Sequence, residues 1–170
     1  MFKKYLCLMA ALVLVSACSS TSDDQSQAGG AGSAYGDGAA GTDAQRLGNA
    51  RPGSQDDLVV NVGDRVFFGF DRYDLSAEAR ATLDRQAAWL NKYPAVNVTI
   101  EGHADERGTR EYNLALGERR ATAARNYLIA AGVDGARLRT VSYGKERPAV
   151  PGSNEAAWAQ NRRAVSVIVE

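Results

Sequence analysis

Between residues 96 and 130 one hydrophobic period gives way to another, and no other stretch of the chain restricts the fold as strongly. Val96, Val98 and Ile100 alternate with Asn97, Thr99 and Glu101, a period of two that predicts a strand over 96–102. A polar loop follows, punctuated by Gly102 and Gly108. A period near 3.6 then predicts a helix from about residue 111 to 130, closed at Gly132. On that helix Leu114, Gly117, Ala121, Ala124 and Leu128 form an apolar stripe, and Asn113, Leu116 and Arg120 share a narrow arc along its border. A strand that runs into a long amphipathic helix implies a crossover over one face of a sheet. Asp105, just past the strand, then lies across from Arg120 on the helix flank. Such a pair can hold a zwitterion, one charge at each end. It can equally close on itself as a salt bridge that only steadies the loop.

The neighbouring segments extend this pattern. Residues 65–70 read as a strand ending at Asp71, and Ser76 as the N-cap of a helix running to Lys92 with Ala79, Leu83, Ala87 and Leu90 on its buried stripe. Tyr93 and Pro94 end that helix. Strands over 137–143 and 163–169 and a short helix over 154–161 complete an α+β domain spanning 58–170. Phe67, Ile100, Leu114, Leu128, Val141 and Val167 are the expected core. A domain of roughly 110 residues can bury a core without covalent staples.

The first 57 residues read differently. Lys3 and Lys4, an apolar run over 5–15 and the small Ser16 and Ala17 make residues 1–17 a secretory signal, too short for a stable membrane span. Its end, Val15-Ser16-Ala17-Cys18, resembles a bacterial lipobox, which implies cleavage before Cys18 and lipidation there, palmitate included. Ordinary cleavage beside an incidental cysteine is the alternative. One acyl chain binds a membrane only marginally, so an anchor needs several. Residues 18–57 are rich in Gly, Ser, Ala, Asp and Gln, a composition expected to form a disordered tether. Such a tether has a relaxed span of roughly 35 Å and a taut reach on the order of 130 Å.

Composition removes several function classes. The chain has 170 residues, a formal net charge of zero and no basic run, which argues against a nucleic-acid partner. Cys7 and Cys18 are its two cysteines and His103 its one histidine, so the expected domain has no disulfide and no Cys-based or multi-His metal site. The glycines over 29–41 follow no strand and precede no Gly-Lys-Ser/Thr, so they are not a phosphate loop. No cofactor is expected.

Five runs carry a family resemblance: FGFD at 68–71, EGHADERGT at 101–109, EYNLALGERRA at 111–121, VSYGKERPA at 141–149 and NRRAV at 161–165. Together they resemble the peptidoglycan-binding motif of the OmpA-like domain family. The resemblance covers the last two-thirds of the chain and implies a mixed four-stranded sheet packed against two main helices. It further implies non-covalent binding of the meso-diaminopimelate of peptidoglycan stem peptides, with Asp105 on the ammonium and Arg120 on the carboxylate. Asp71 and Phe70 would line the pocket, although Asp71 could equally cap the strand end. Asn113 and Leu116 would flank Arg120, and Leu116 could be ordinary packing. Arg163, from the Arg pair at 162–163, would support ligand or Asp105, or else be a solvated charge. Ser19, after Cys18, points by the rule for such lipoproteins to the outer membrane, with the domain facing the periplasm. The resemblance also implies the β-propeller protein TolB as partner, with other Tol and outer-membrane proteins, and a place in the Tol–Pal system that maintains the envelope and constricts the outer membrane in cell division.

Two rival readings remain at this level. Glu101 and Glu106, with Asp105, invite a cell-wall hydrolase, since paired carboxylates perform acid–base work on glycosides. All three sit in one short segment, and His103 has no Ser or Cys nucleophile at a recognisable spacing. A hydrogen bond from His103 that fixes Asp105 is the expected role. The second rival is a structural lipoprotein without ligand.

Overall fold

Four strands, β1 (Arg65–Phe67), β2 (Asn97–His103), β3 (Leu138–Gly144) and β4 (Arg163–Val169), form one sheet in the order β1-β4-β2-β3. β4 runs antiparallel to both β1 and β2, while β2 and β3 are parallel. The helices are α1 (Gln55–Asn61), α2 (Ala77–Lys92), α3 (Arg110–Ala130) and α4 (Glu155–Asn161). This computed structural model describes residues 50–169. The expected leader at 1–17, Cys18 and the tether as far as residue 49 lie outside the described residues. Among the described residues the α+β expectation, a mixed four-stranded sheet on two main helices, is the fold observed.

The local chemistry places α2 and α3. Ser76 accepts from the Ala79 amide, and Thr109 from the Tyr112 amide, so each hydroxyl satisfies one orphan donor of the first turn. After α3, Gly132 adopts φ +92° and ends the helix as expected. The two helices pack on each other, with α3 lying over β2 and β3. Leu83, Leu90, Val98, Ile100, Ala121 and Leu128 fill the space between.

β2 and α3 meet backbone to backbone at two glycines. A Cβ on Gly102 of β2 would lie 1.8 Å from the Gly117 carbonyl oxygen of α3, and one on Gly117 would lie 2.3 Å from Ser142 Oγ. Two glycines therefore let α3 rest directly on the sheet. Arg120, less than one turn further along α3, is thereby set against the carboxyl end of β2.

Several expected boundaries and core positions shift. The first strand stops at Phe67 rather than continuing to residue 70, because the Gly69 and Arg72 carbonyls turn away to accept from Arg120. Its inward position is Val66, Phe68 just past its end is buried too, and Phe67 is 40% exposed on the helix-free face. Ile100 and Leu128 are core, whereas Leu114, Val141 and Val167 are only partly buried. Val141 and Val167 share the helix-free face with Glu101 and Thr99, which they pair with across the sheet. At the amino end, α1 crosses residue 57, where the polar composition suggested that the tether ends. Buried Asp57 accepts from the Trp89 indole at 3.0 Å and from the Gly53 amide. Gln55 bonds the Ser166 carbonyl and the Ile168 amide, covering β4 beyond the reach of β1.

Candidate ligand-binding site

The loop between β2 and α3 is fastened from three sides. The Ala104 amide donates to the Gly144 carbonyl at 2.8 Å. Asn113 donates to the Arg107 and Thr109 carbonyls, at 2.8 and 3.1 Å. Lys145 reaches across to the Gly108 and Glu106 carbonyls, at 2.7 and 3.2 Å. Lys145 is thus a clamp on this loop. Gly108 takes φ +91°, which a side chain would strain.

Arg120 is wholly buried. Its Nε donates to the Arg72 carbonyl at 2.8 Å, Nη1 to the His103 carbonyl at 2.8 Å and Nη2 to the Gly69 carbonyl at 3.1 Å. Among the described residues no carboxylate forms a salt bridge with it. Burial pushes its guanidinium down to about 10, against the pull of the Asp105 and Asp71 charges. Asp105, 4% exposed, accepts from Arg107 Nη2 at 2.7 Å, Arg107 Nε at 3.2 Å and the Arg107 amide at 3.1 Å. Arg162 Nη1 approaches the same carboxylate at 3.4 Å. Burial alone would push the Asp105 carboxyl up, but the hydrogen bonds and charge of Arg107, with Arg162, hold it below its ordinary value. The Arg107 guanidinium lies 4.0 Å from the ring centres of both Phe70 and Trp158.

Asp105, Arg120 and Arg107 line one cavity with Phe70, Asp71, Asn113 and Leu116, closed by Gly108 and Tyr112. Its volume is about 170 Å³, smaller than the roughly 300–1,000 Å³ of clefts for drug-sized ligands. One amino-acid head group fits such a space. Asp71 stands at the rim with φ 55°, a left-handed backbone that Asp tolerates better than most residues. Its carboxylate accepts from the Tyr112 hydroxyl, which raises the Tyr112 pKa. Among the described residues Asp71 has no cationic partner at salt-bridge distance.

The model of the OmpA family matches residues 67–162, which contain every lining residue of this cavity. The chain belongs to the OmpA family. The peptidoglycan-associated lipoprotein of Rhizobium meliloti (strain 1021) is 63% identical over 121 residues, covering 71% of this chain and 69% of the relative. That of Haemophilus influenzae is 46% identical over 164 residues, 96% of each chain. The crystal structure of the peptidoglycan-associated lipoprotein from Burkholderia pseudomallei superposes with a TM-score of 0.61 at 46% identity, over 62% of this chain and 90% of that one.

In this OmpA-family domain six of the seven expected ligand residues converge: Asp105, Arg120, Asp71, Phe70, Asn113 and Leu116. Arg163 does not. Strand alternation turns it to the helix-free face, where it donates to the Asn161 and Arg147 carbonyls. Arg162, one residue earlier, faces Asp105 instead. Asp105 and Arg120 form no direct salt bridge, so the purely internal pair is not observed, but neither is Asp105 unpaired. Arg107 and Tyr112 went unassigned from sequence. Tyr112 carried a signal, since 112, 116 and 120 fall on one helix face; Arg107 had only its place two residues after Asp105.

The hydrolase reading finds no support at this site. The chain's relatives are lipoproteins by name, and neither Glu101 nor Glu106 lines the cavity. Glu106 accepts from the Trp158 indole at 3.0 Å, and Glu101 lies on the sheet's other face beside His103. The expected hydrogen bond from the His103 ring within the loop is absent as well. Both ring nitrogens of His103 are buried without a hydrogen-bond partner, and only its backbone carbonyl serves the site.

That burial, with the nearby Arg163 and Arg147 charges, pushes the His103 imidazole down to about 4. An unfolded His titrates near 6.5, so between about 4 and 6.5 the unfolded chain binds a proton that the folded one refuses. The contribution of His103 to stability is therefore complete above about 6.5 and falls as the solution is acidified through that window. Thermal melts from pH 7.5 to 4.5 should show Tm falling, with a shallower slope in His103→Gln.

Proposed function

We propose that this chain is an outer-membrane lipoprotein that grips peptidoglycan non-covalently by the zwitterionic end of meso-diaminopimelate. The observation that carries this reading is Arg120: a wholly buried guanidinium beside a head-group-sized cavity, bonded only to carbonyls. A buried cation without a carboxylate is costly unless something completes it. The ligand carboxylate does so at Arg120, while Asp105 and the rim carboxylate of Asp71 meet the ammonium. Phe70 and Leu116 supply apolar walls, and Asn113 holds the loop.

The names of the relatives support attachment to peptidoglycan. The Haemophilus influenzae match, running through 96% of both chains, supports a shared amino-terminal organisation: a leader at 1–17, a lipidated Cys18 and a tether that ends before α1 at Gln55. On this reading palmitate and further acyl chains hold Cys18 in the outer membrane and the domain faces the periplasm. Membership of the Tol–Pal system, TolB as partner and a role in outer-membrane constriction at division belong to the same proposal. Among the described residues no helix is long and apolar enough to cross a membrane.

Affinity per site should be modest. Charge-assisted hydrogen bonds contribute about 1.5–3 kcal/mol each, and two of them correspond to binding from about millimolar to tens of micromolar. Many anchored copies facing one polymer multiply that grip through effective concentration.

Asp105→Asn tests the reading, because it keeps the side chain's size while removing its charge. Co-sedimentation with purified peptidoglycan should fall at least about tenfold, the effect of losing roughly 1.4 kcal/mol, with the circular dichroism spectrum unchanged. A folded variant that sediments like wild type would reduce Asp105 to a loop-ordering residue.

A further inference from the structure

The acceptor sites of Asp105 are already occupied. Oδ1 takes the Arg107 amide at 3.1 Å and Arg107 Nε at 3.2 Å; Oδ2 takes Arg107 Nη2 at 2.7 Å and Arg162 Nη1 at 3.4 Å. A carboxylate offers about four lone-pair sites, and three of these four contacts come from Arg107. A ligand ammonium cannot reach Asp105 without a vacancy. The two arginines differ in how readily they could provide one. Arg162 is buried and also bound to the Phe68 carbonyl and Glu155, so it is fixed. The Arg107 side chain keeps 31% of its surface exposed and lies between two rings, a slot it can slide along without losing its aromatic contacts. Its Nη1 is already 3.9 Å from Glu155 Oε2, and the Glu155 side chain is 66% exposed. One shift of the guanidinium would exchange Asp105 for Glu155 and leave the Arg107 amide bond in place.

We infer that Arg107 is a displaceable counter-ion of Asp105: it occupies the ammonium subsite in the free protein and moves to Glu155 when the ligand ammonium arrives. This rests on the diaminopimelate reading and deepens it by naming the residue that sets affinity. Arg107 neutralises a buried carboxylate that would otherwise be costly, and it competes with the ligand for the same oxygens. The resulting affinity is lower than two clean ion pairs would provide.

The sign of the Arg107→Gln effect separates competitor from contact. Calorimetric titration of the domain with a meso-diaminopimelate muropeptide should show Arg107→Gln binding on the order of tenfold tighter than wild type. Far-UV circular dichroism confirms the fold of each variant. As a second readout, the Arg107 Nε–H resonance of wild type should shift on ligand addition while that of Arg162 stays. Weaker binding by folded Arg107→Gln, or an unmoved Arg107 signal at saturation, would overturn the displacement. Absence of wild-type binding, together with identical behaviour of Arg120→Lys, would instead defeat the underlying function and the displacement with it.

Discussion

Arg120→Ala is expected to abolish peptidoglycan co-sedimentation and, in addition, to destabilise the domain. The side chain is wholly buried and its three nitrogens satisfy the carbonyls of Gly69, Arg72 and His103. It therefore ties the turn after β1 to the end of β2, besides presenting charge to the cavity. Each buried carbonyl left without a donor costs about 1–3 kcal/mol. Three of them suggest a loss of about 3 kcal/mol or more, tempered by water entering the truncated site. Against a typical total of about 5–15 kcal/mol that is a large fraction. Arg120→Lys separates the two consequences, because an ammonium keeps the charge but cannot serve three carbonyls held in a guanidinium's plane. It should fold with a Tm between those of wild type and Arg120→Ala and bind muropeptide at least about tenfold more weakly than wild type. Chemical denaturation read beside co-sedimentation reports both. A stable Arg120→Ala domain that still sediments would contradict both roles.

Gly102→Ala should rank among the substitutions most damaging to the fold. The added methyl would stand 1.8 Å from the Gly117 carbonyl oxygen, and backbone cannot rotate out of the way as a side chain can. Relief requires α3 to lift from the sheet, which opens the packing of Ala121, Ala124 and Leu128 and carries Arg120 away from the end of β2. Overpacking generally costs about 1–3 kcal/mol. Here the obstacle is backbone, so about 4 kcal/mol or more is expected, the range reserved for few substitutions. Gly132→Ala is the useful comparison: its difficulty is φ +92° alone, with an open neighbourhood, so its cost should be about 1–2 kcal/mol. If urea midpoints showed Gly102→Ala no less stable than Gly132→Ala, α3 would not be seated as described.

The sequence made the framework legible wherever period and capping agreed. Ser76, the Lys92 end of α2 and the closure at Gly132 all fall where a hydroxyl, a Tyr-Pro pair and a glycine predicted them. The strand before Asp71 was harder. Val66, Phe67 and Phe68 are all apolar, so composition could not choose the inward face, and the strand's end is set by carbonyls that Arg120 draws away from the sheet. The start of the domain was missed for a related reason. Gln55 and Asp57 are polar in composition but structural in use, one covering the edge of β4 and the other receiving the Trp89 indole.

The candidate site was legible through helical spacing, which placed Asn113, Leu116 and Arg120 on one arc. The partners of Asp105 were not, because they come from loop geometry and from strand parity. Two adjacent arginines, Arg162 and Arg163, look alike in sequence. The residue pairing at β4 sends one to Asp105 and the other to the opposite face. The Phe70–Arg107–Trp158 stack joins residues up to 88 positions apart, a separation that local pattern cannot reveal.

Recognition of a zwitterion can be read from one calorimetric titration of the wild-type domain with two muropeptides that differ only at the third stem residue. Meso-diaminopimelate should give saturable one-to-one binding, and lysine, which offers the ammonium without the carboxylate at that carbon, should bind at least about tenfold more weakly. Equal binding of the two would mean that Arg120 recognises no ligand carboxylate and that the cavity does not hold a zwitterion.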